Sequence, residues 1–269
     1  MDAAAAKFIG SIPQYYDRYL GPAWFDSFAA DLAGRMPARP PGDALEVACG
    51  TGILTRRLRE HLDPSVRLVA SDLSKAMLDH ARGRVKLAGI EWQEADGIRL
   101  PFEGAEFGAV VCSFGMMFMP DRQAAFREAR RVLHEGGLLL FNVWDRIEEN
   151  PHALANQRLF DELFPGDEEV QFGKIAFGMH DRALLRQLLS DARFKEVRME
   201  AKRLEVQVPD VMSLATGMVR GTPRSLIFEK RGLSLDAMIG KVAAVLARVG
   251  GEKPYRSHAQ AVIVEARAV

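Results

Sequence analysis

A glycine-containing turn after one apolar run, with an aspartate at the end of the next run, most constrains the fold of this chain. The first run and its turn occupy Leu45 to Gly52, and the second run occupies Leu68 to Asp72. This pattern predicts a buried strand, a tight turn, a helix from Ile53 to His61 and a second strand. Glycine lets the backbone approach a ligand closely, and an acidic residue at this position accepts hydrogen bonds from ribose hydroxyls. We therefore expect a ligand that carries a ribose.

Two other nucleotide-binding patterns do not occur in the sequence. The dinucleotide fingerprint is G-x-G-x-x-G, but Thr55 occupies the position of the third glycine. The phosphate-binding loop G-x-x-x-x-G-K-[ST] is found nowhere in the chain. Triphosphate chemistry is therefore disfavoured, and so is a dinucleotide.

The segment E-x-x-C-G-T-G, from Glu46 to Gly52, resembles the first motif of class I S-adenosylmethionine-dependent methyltransferases. The ligand of that family has a ribose and an amino-acid tail but no phosphate, in agreement with the missing third glycine. Ala48 occupies a position where some members carry glycine, which we interpret as a tolerated variation. The resemblance implies an α/β fold, Rossmann-like, with a doubly wound and mostly parallel seven-stranded sheet.

Further landmarks of that family follow in order over residues 43–145. By resemblance, Asp72 would bind the ribose hydroxyls, with Leu73 and Met77 near the adenine. Asp96 would accept from the adenine amino group, and Ser113 would lie beside the transferring methyl at the end of a fourth strand. The residues expected to contact the cofactor S-adenosylmethionine are Tyr16, Tyr19, Glu46, Ala48, Cys49, Gly50, Gly52, Asp72, Leu73, Met77, Ala95, Asp96, Gly97, Ser113 and Phe114.

Within the superfamily, two segments resemble the type 11 branch of ubiquinone and menaquinone C-methyltransferases. They are Phe114 to Asp121 and Asn142 to Trp144. Many relatives in that branch act on small molecules. Methionine and phenylalanine residues also populate the chain outside the predicted sheet, which suits either an apolar or aromatic acceptor or a subdomain core. We expect a small apolar or aromatic substrate.

Methyl transfer from a sulfonium is a direct in-line displacement, so the protein mainly positions two reactants and excludes water. No metal is expected. A carbon acid or neutral hydroxyl as acceptor would require a base, and His180, beside the predicted helix cap Asp181, is the leading candidate. Tyr16 and Tyr19 belong to an aromatic N-terminal segment that would either pack on the sheet or close over the cofactor.

Composition excludes several classes of function. The 269 residues carry 36 basic and 36 acidic side chains, so no net charge attracts nucleic acid, and no nucleic-acid partner is expected. The two cysteines have neither disulfide nor zinc spacing. No secretory signal or membrane-spanning run is recognisable, which predicts a cytoplasmic protein without a membrane partner, as a monomer or homodimer.

Alternation of strand and helix patterns divides the chain into four regions. Residues 1–41 are predicted to form a helical cap, and residues 42–145 the cofactor-binding core. Residues 146–193, the first insert, are expected to cover the substrate. Residues 194–269 are predicted to supply the last two strands, with a helical second insert at 209–252.

Two other functions remain open. An NAD(P)-type oxidoreductase would use a similar sheet, but Thr55 and the pattern around Asp96 disfavour it. A protein that binds the nucleoside cofactor without catalysis would carry the same motifs. Cofactor titration distinguishes an oxidoreductase from a methyltransferase, and a product assay distinguishes a non-catalytic binding protein from a methyltransferase.

Overall fold

The computed structural model describes residues 8–269, apart from the side chain of Phe172. Its strands are β1 (Asp43–Val47), β2 (Leu68–Asp72), β3 (Ile90–Glu94), β4 (Phe107–Ser113), β5 (Leu133–Trp144), β6 (Phe194–Val208) and β7 (Tyr255–Ala268). They form one seven-stranded sheet in the order β3-β2-β1-β4-β5-β7-β6. Strands β1 to β5 pair in parallel, whereas β7 runs antiparallel to both β5 and β6. The predicted doubly wound, mostly parallel sheet is confirmed.

Helices cover the sheet and form both inserts. They are α1 (Ile12–Tyr15), α2 (Asp26–Arg35), α3 (Ile53–His61), α4 (Lys75–Arg84), α5 (Arg122–Val132), α6 (Pro151–Leu163), α7 (Phe172–Ala176), α8 (Arg182–Asp191), α9 (Val211–Arg220), α10 (Arg224–Lys230) and α11 (Leu235–Gly250). Several begin at a side chain that accepts a hydrogen bond from the first turn, which satisfies a backbone donor that the helix leaves free. These caps are Ser74, Asp121, Asp181, Asp210 and Ser234.

A π-helical segment, Tyr16–Phe25, joins α1 to α2. It contains Pro22, which has no backbone N–H and therefore cannot donate the usual helical hydrogen bond. Gly21 lies within it, and a Cβ on this residue would be 3.2 Å from Cδ1 of Ile53 in α3. The segment thus packs closely against the helix that follows the glycine turn.

The strands differ in burial according to their place in the sheet. Central strands such as β2 and β4 are buried almost throughout, as expected when helices cover both faces. Strand β6, at one edge, has a largely charged sequence and exposes many of its side chains. Charges on an edge strand oppose pairing with another chain.

Helices and strands that were predicted outside the cofactor-binding core are also present. Helical elements run from Ile12 to Arg35, and the long antiparallel hairpin of β6 and β7 is present. The first insert also contains the short helix α7. Residues 1–7 of the expected N-terminal cap lie outside the described residues, and the domain boundaries stay predictions. In residues 8–269, no helix is both long and apolar enough to cross a bilayer.

Candidate functional site

A large cleft opens where the parallel strands end. Strand β1 is flanked by β2 on one side and β4 on the other, so the chain reverses its winding direction between β1 and β4. Ligands of open α/β sheets bind outside the carboxyl ends of the strands at such a point. The cleft encloses about 1470 Å³, counting its open mouth. Of the residues predicted to contact cofactor, those that line it are Tyr16, Ala48, Gly50, Asp72, Leu73, Met77, Ala95, Asp96, Gly97, Ser113 and Phe114.

Asp72 is held at the end of β2 by backbone donors. Its Oδ2 accepts from the N–H of Gly50 at 2.8 Å, and its Oδ1 accepts from the N–H of Ser74 at 2.8 Å. Burial raises the pKa of Asp72, whereas these hydrogen bonds favour the carboxylate form. The carboxyl group therefore joins the glycine turn to α4 and has a fixed orientation beside the cleft.

The glycine turn has left-handed backbone at three positions, with φ of 57° at Ala48, 56° at Gly50 and 79° at Gly52. A Cβ on Gly50 would meet nothing within 4 Å, because this residue faces the cleft. A Cβ on Gly52 would lie 2.9 Å from Cγ2 of Val85. Gly52 therefore permits close packing on the side away from the cleft. Contact with the cofactor was predicted for this residue, but Gly52 is not among the residues that line the cleft.

The segment after β3 forms another side of the cleft. Oδ1 of Asp96 accepts from the N–H of Ile98 at 3.1 Å, which fixes a turn just beyond the strand. A Cβ on Gly97 would approach Cε of Met119 to 2.6 Å, so glycine allows the two segments to meet. Asp72 and Asp96 thus place two carboxyl groups at the ends of neighbouring strands.

Aromatic rings form another wall of the cleft. Phe114 directly follows β4 with φ of 53°, and its backbone N–H donates to Oδ1 of Asn142 at 2.9 Å. Its ring centroid lies 4.1 Å from that of Trp144, at the end of β5, and 5.4 Å from that of Phe25. The aromatic wall consists of the cleft-lining residues Trp24, Phe25, Phe114, Trp144 and Phe177.

Helix α6 of the first insert adds His152 to this side of the cleft. His152 is 3% exposed, and its ring stacks on Trp24 with centroids 4.6 Å apart. Its Nδ1 has no hydrogen-bond partner among residues 8–269. Burial lowers the pKa of His152 to about 4, although a backbone hydrogen bond with His258 opposes the shift. His152 is therefore neutral at pH 7.

Four other predicted site residues do not line the cleft. Glu46 and Cys49 point into the protein, where burial raises the pKa of Glu46 to about 8 and that of the Cys49 thiol well above its usual range. Tyr19 stacks on Tyr15 with ring centroids 6.1 Å apart. His180 is exposed, and its Nδ1 lies 2.8 Å from the carbonyl oxygen of Phe177. The structure therefore gives the predicted base no position facing the cleft.

Sequence reasoning missed several residues that the tertiary structure brings to the cleft. Asn156 and Gln157 come from α6, Trp24 from the π-helical segment, and Arg224 from α10. The spacing of His152 and Asn156, one helical turn apart, was a weak signal that both lie on one face of α6. Nothing local distinguishes Arg224 from the other arginines of the chain. Among the described residues, no group of three or more His, Cys, Asp or Glu side chains is placed to hold a metal ion.

The sheet order and the cleft define a methyltransferase-type Rossmann-like fold, and similar known proteins agree. A family model described as a methyltransferase domain matches residues 44–137. Demethylmenaquinone methyltransferase of Deinococcus radiodurans is 38% identical over 119 residues, 44% of this chain and 47% of that enzyme. Ubiquinone/menaquinone biosynthesis C-methyltransferase UbiE of Pseudomonas savastanoi pv. phaseolicola is 34% identical over 183 residues, 63% of this chain and 70% of the relative.

A solved structure shows the same fold at low sequence identity. Phosphoethanolamine N-methyltransferase 2 of Haemonchus contortus, in complex with S-adenosyl-L-methionine, is 14% identical with a TM-score of 0.58. The likeness covers 97% of this chain and 61% of that one. This likeness shows the fold. The sequence relatives show that the chain belongs to the class I S-adenosylmethionine-dependent methyltransferases, in the UbiE-like branch. It is accordingly a methyltransferase enzyme.

Proposed function

We propose that this chain binds S-adenosylmethionine in the cleft and methylates a small apolar or aromatic molecule. The observation that carries the proposal is the division of the cleft into two halves. Carboxyl groups and open backbone lie at the ends of β1 to β3, and the aromatic wall lies beyond β4 and β5. Such a cleft suits a polar nucleoside beside an apolar acceptor.

The residues present fit the cofactor on three grounds. Asp72 is oriented to accept from ribose hydroxyls, and Gly50 leaves open space in front of the turn. Leu73 and Met77 would border the adenine, with Asp96 near its amino group. The sequence has no phosphate-binding loop, in keeping with a ligand that has no phosphate. When bound, S-adenosylmethionine supplies a methyl group on a positively charged sulfur.

The aromatic wall would hold the acceptor and exclude water. Ser113 is the last residue of β4 and lines the cleft beside Phe114 of the aromatic wall. An aromatic face near a cation contributes about 0.5–2 kcal/mol of attraction, and positioning of two reactants lowers the barrier further. Tyr16 would close the cofactor side, since it lines the cleft and its ring stacks on Phe25 with centroids 4.8 Å apart.

His152, in place of His180, is the histidine that would contact the acceptor. It lines the cleft beside Trp24, and its Nδ1 is free to accept a hydrogen bond. With a pKa of about 4 in the free protein, it is a weak base and acts first by orienting a donor group of the substrate.

The names of the relatives support a small-molecule acceptor. The Pseudomonas relative is named for C-methylation in ubiquinone and menaquinone biosynthesis, and the Deinococcus relative for demethylmenaquinone. The aligned region covers less than half of the Deinococcus enzyme, so the acceptor of this chain is proposed from its own cleft.

Calorimetric titration with S-adenosylmethionine, S-adenosylhomocysteine and NAD tests the cofactor. We expect both sulfur ligands to bind and NAD not to bind. Asp72→Asn should weaken S-adenosylhomocysteine binding by about 10- to 100-fold, because a charged hydrogen-bond acceptor is lost. Asp79→Asn is the matched control, since this aspartate is on the exposed face of α4 and pairs with Lys75. Unchanged affinity in Asp72→Asn would contradict the assignment, and binding of NAD alone would favour an oxidoreductase.

A further inference from the structure

Arg224 is a buried cation that the proposed chemistry does not use. It begins α10 and lines the cleft, although it is only 4% exposed. Its Nε donates to the carbonyl oxygen of Val170 at 2.9 Å, and its Cζ lies 4.2 Å from the ring centroid of Phe160. These two contacts fix the plane of the guanidinium.

Within the described part of the chain, the guanidinium has no acidic partner. Among residues 8–269, no carboxylate oxygen lies within 4.0 Å of it, and its two terminal nitrogens donate no hydrogen bond. Arg231, at the end of the same helix, instead pairs with both Asp167 and Glu169. Burial lowers the pKa of Arg224 to about 10, so the group keeps its charge at neutral pH. A buried, charged and unpaired arginine is costly unless a ligand supplies the counter-charge.

The charges that line the cleft are separated in space. Its carboxyl groups, Asp72 and Asp96, follow β2 and β3, on the side proposed for the nucleoside. Besides Arg224, the two inserts contribute neutral side chains to the lining, including Thr222, Asn156 and Gln157. The Oδ1 atom of Asn156 is buried without a partner among the described residues. The inserts therefore offer hydrogen-bonding groups and one positive charge to the same cleft that the aromatic wall lines.

We propose that Arg224 binds a carboxylate of the methyl acceptor, so that the substrate is a small aromatic or apolar acid. A guanidinium presents paired N–H groups in a plane, which matches the two oxygens of a carboxylate. The aromatic wall takes the apolar body, and Arg224 fixes the opposite end. This inference rests on the proposed function, because it places the acceptor in the same cleft.

The test measures binding of simple probes to the full chain saturated with S-adenosylhomocysteine. The probes are 4-hydroxybenzoate, its neutral amide 4-hydroxybenzamide, and phenyl phosphate. We expect the wild-type protein to bind the carboxylate about 10- to 100-fold tighter than the amide, as for a hydrogen bond to a charged group. Arg224→Met, which keeps the apolar stem over Phe160, should remove that preference. Arg224→Lys should keep part of it, and the matched control Arg231→Met should keep all of it.

Several outcomes would overturn the inference. They are equal affinity for carboxylate and amide in the wild type, a preference that survives in Arg224→Met, and tighter binding of phenyl phosphate than of the carboxylate. A loss of S-adenosylhomocysteine affinity in Arg224→Met would assign Arg224 to the cofactor instead. S-adenosylhomocysteine is first titrated alone into the wild-type protein. If it does not bind, the proposed function fails, and this result is distinct from a failure of the inference about Arg224. The wild-type preference needs no variant, so misfolding of Arg224→Met leaves the test intact.

Discussion

His152 and His180 belong to the same insert but lie in different surroundings. His152 is enclosed between Trp24 and Trp144, and its ring is kept neutral because burial penalises the charged form. His180 is exposed, and its Nδ1 lies within hydrogen-bond distance of the carbonyl oxygen of Phe177. One histidine of this insert therefore lines the cleft, and the other lies outside it.

Burial of His152 predicts a stability that depends on pH. Between about pH 6.5 and pH 4 the unfolded chain binds a proton at this position and the folded chain does not, so stability falls as the pH is lowered through that range. The shift corresponds to about 3 kcal/mol at the acid end. His152→Phe keeps the stacked ring and should lose this part of the acid destabilisation. Urea denaturation at about pH 7 and about pH 4.5 measures it.

His180→Ala is the control for that experiment. It retains His152 and should show the same acid destabilisation as the wild type. If His152→Phe loses as much stability on acidification as the wild type, His152 is not a buried neutral histidine, and its role in orienting the acceptor fails as well.

At the scale of elements, the π-helical segment depends on its neighbours for its position. Asp17 accepts from Oγ1 of Thr51 in the glycine turn at 3.3 Å and pairs with Arg84 in α4 at 2.6 Å. On the other side, α9 packs against the segment at Gly217. The segment carries Tyr16 and Trp24 into the cleft, so its packing and the shape of the site are coupled.

Gly217→Ala should therefore disturb both stability and cofactor binding. The added Cβ would lie 2.6 Å from Cβ of Tyr19 and 2.7 Å from Cδ2 of Leu20, so the π-helical segment must move. Overpacking of this kind costs about 1–3 kcal/mol, which the higher helix propensity of alanine offsets by about 1 kcal/mol. Denaturant unfolding and titration with S-adenosylhomocysteine should show a less stable protein with weaker binding.

Gly240→Ala, in α11, is the matched control for Gly217→Ala. Nothing lies within 4 Å of its added Cβ, and the residue is exposed. It should stabilise the protein by up to about 1 kcal/mol and leave affinity unchanged. Equal effects of the two substitutions would show that contact between α9 and the π-helical segment does not shape the site.

At the scale of the whole molecule, a polar network joins the first insert to the sheet. Asp145, 3% exposed at the end of β5, accepts from Nε2 of Gln260 at 2.9 Å and from Nη2 of Arg182 at 3.1 Å. Oδ1 of Asn150 accepts from the N–H of Gln260 at 2.9 Å, and its Nδ2 donates to the carbonyl oxygen of Gln260 at 3.1 Å. The network thus connects β5, β7, α8 and the start of α6.

Asp145→Asn should loosen the first insert while leaving the sheet folded. Replacing the carboxylate removes charged hydrogen bonds, and we expect a loss of about 1–3 kcal/mol. Hydrogen exchange should become faster in α6 and α8 before it changes in β4. Asp236→Asn is the control, because this exposed aspartate also pairs with an arginine, Arg220, and should change stability by less than about 0.5 kcal/mol. Unchanged exchange in α6 would show that the network does not hold the insert.

The sequence by itself determined the elements and the location of the site. Ile53 to His61 was predicted as a helix and Leu68 to Asp72 as a strand, with the bounds that the structure has, because the pattern of apolar residues reflects burial directly. The position of Asp72 after the second strand was also local information, since parallel strands bring their carboxyl ends to one edge.

Only the tertiary structure decided which side chains face the cleft. Within one turn, Gly50 borders open space while Cys49 and Gly52 pack away from it, and no local pattern separates them. His152 reaches the cleft by packing on Trp24 and Trp144, and Arg224 by packing on Phe160 of the other insert. These contacts join residues far apart in the chain, so burial, charge and orientation at the site depend on neighbours that local sequence patterns do not specify.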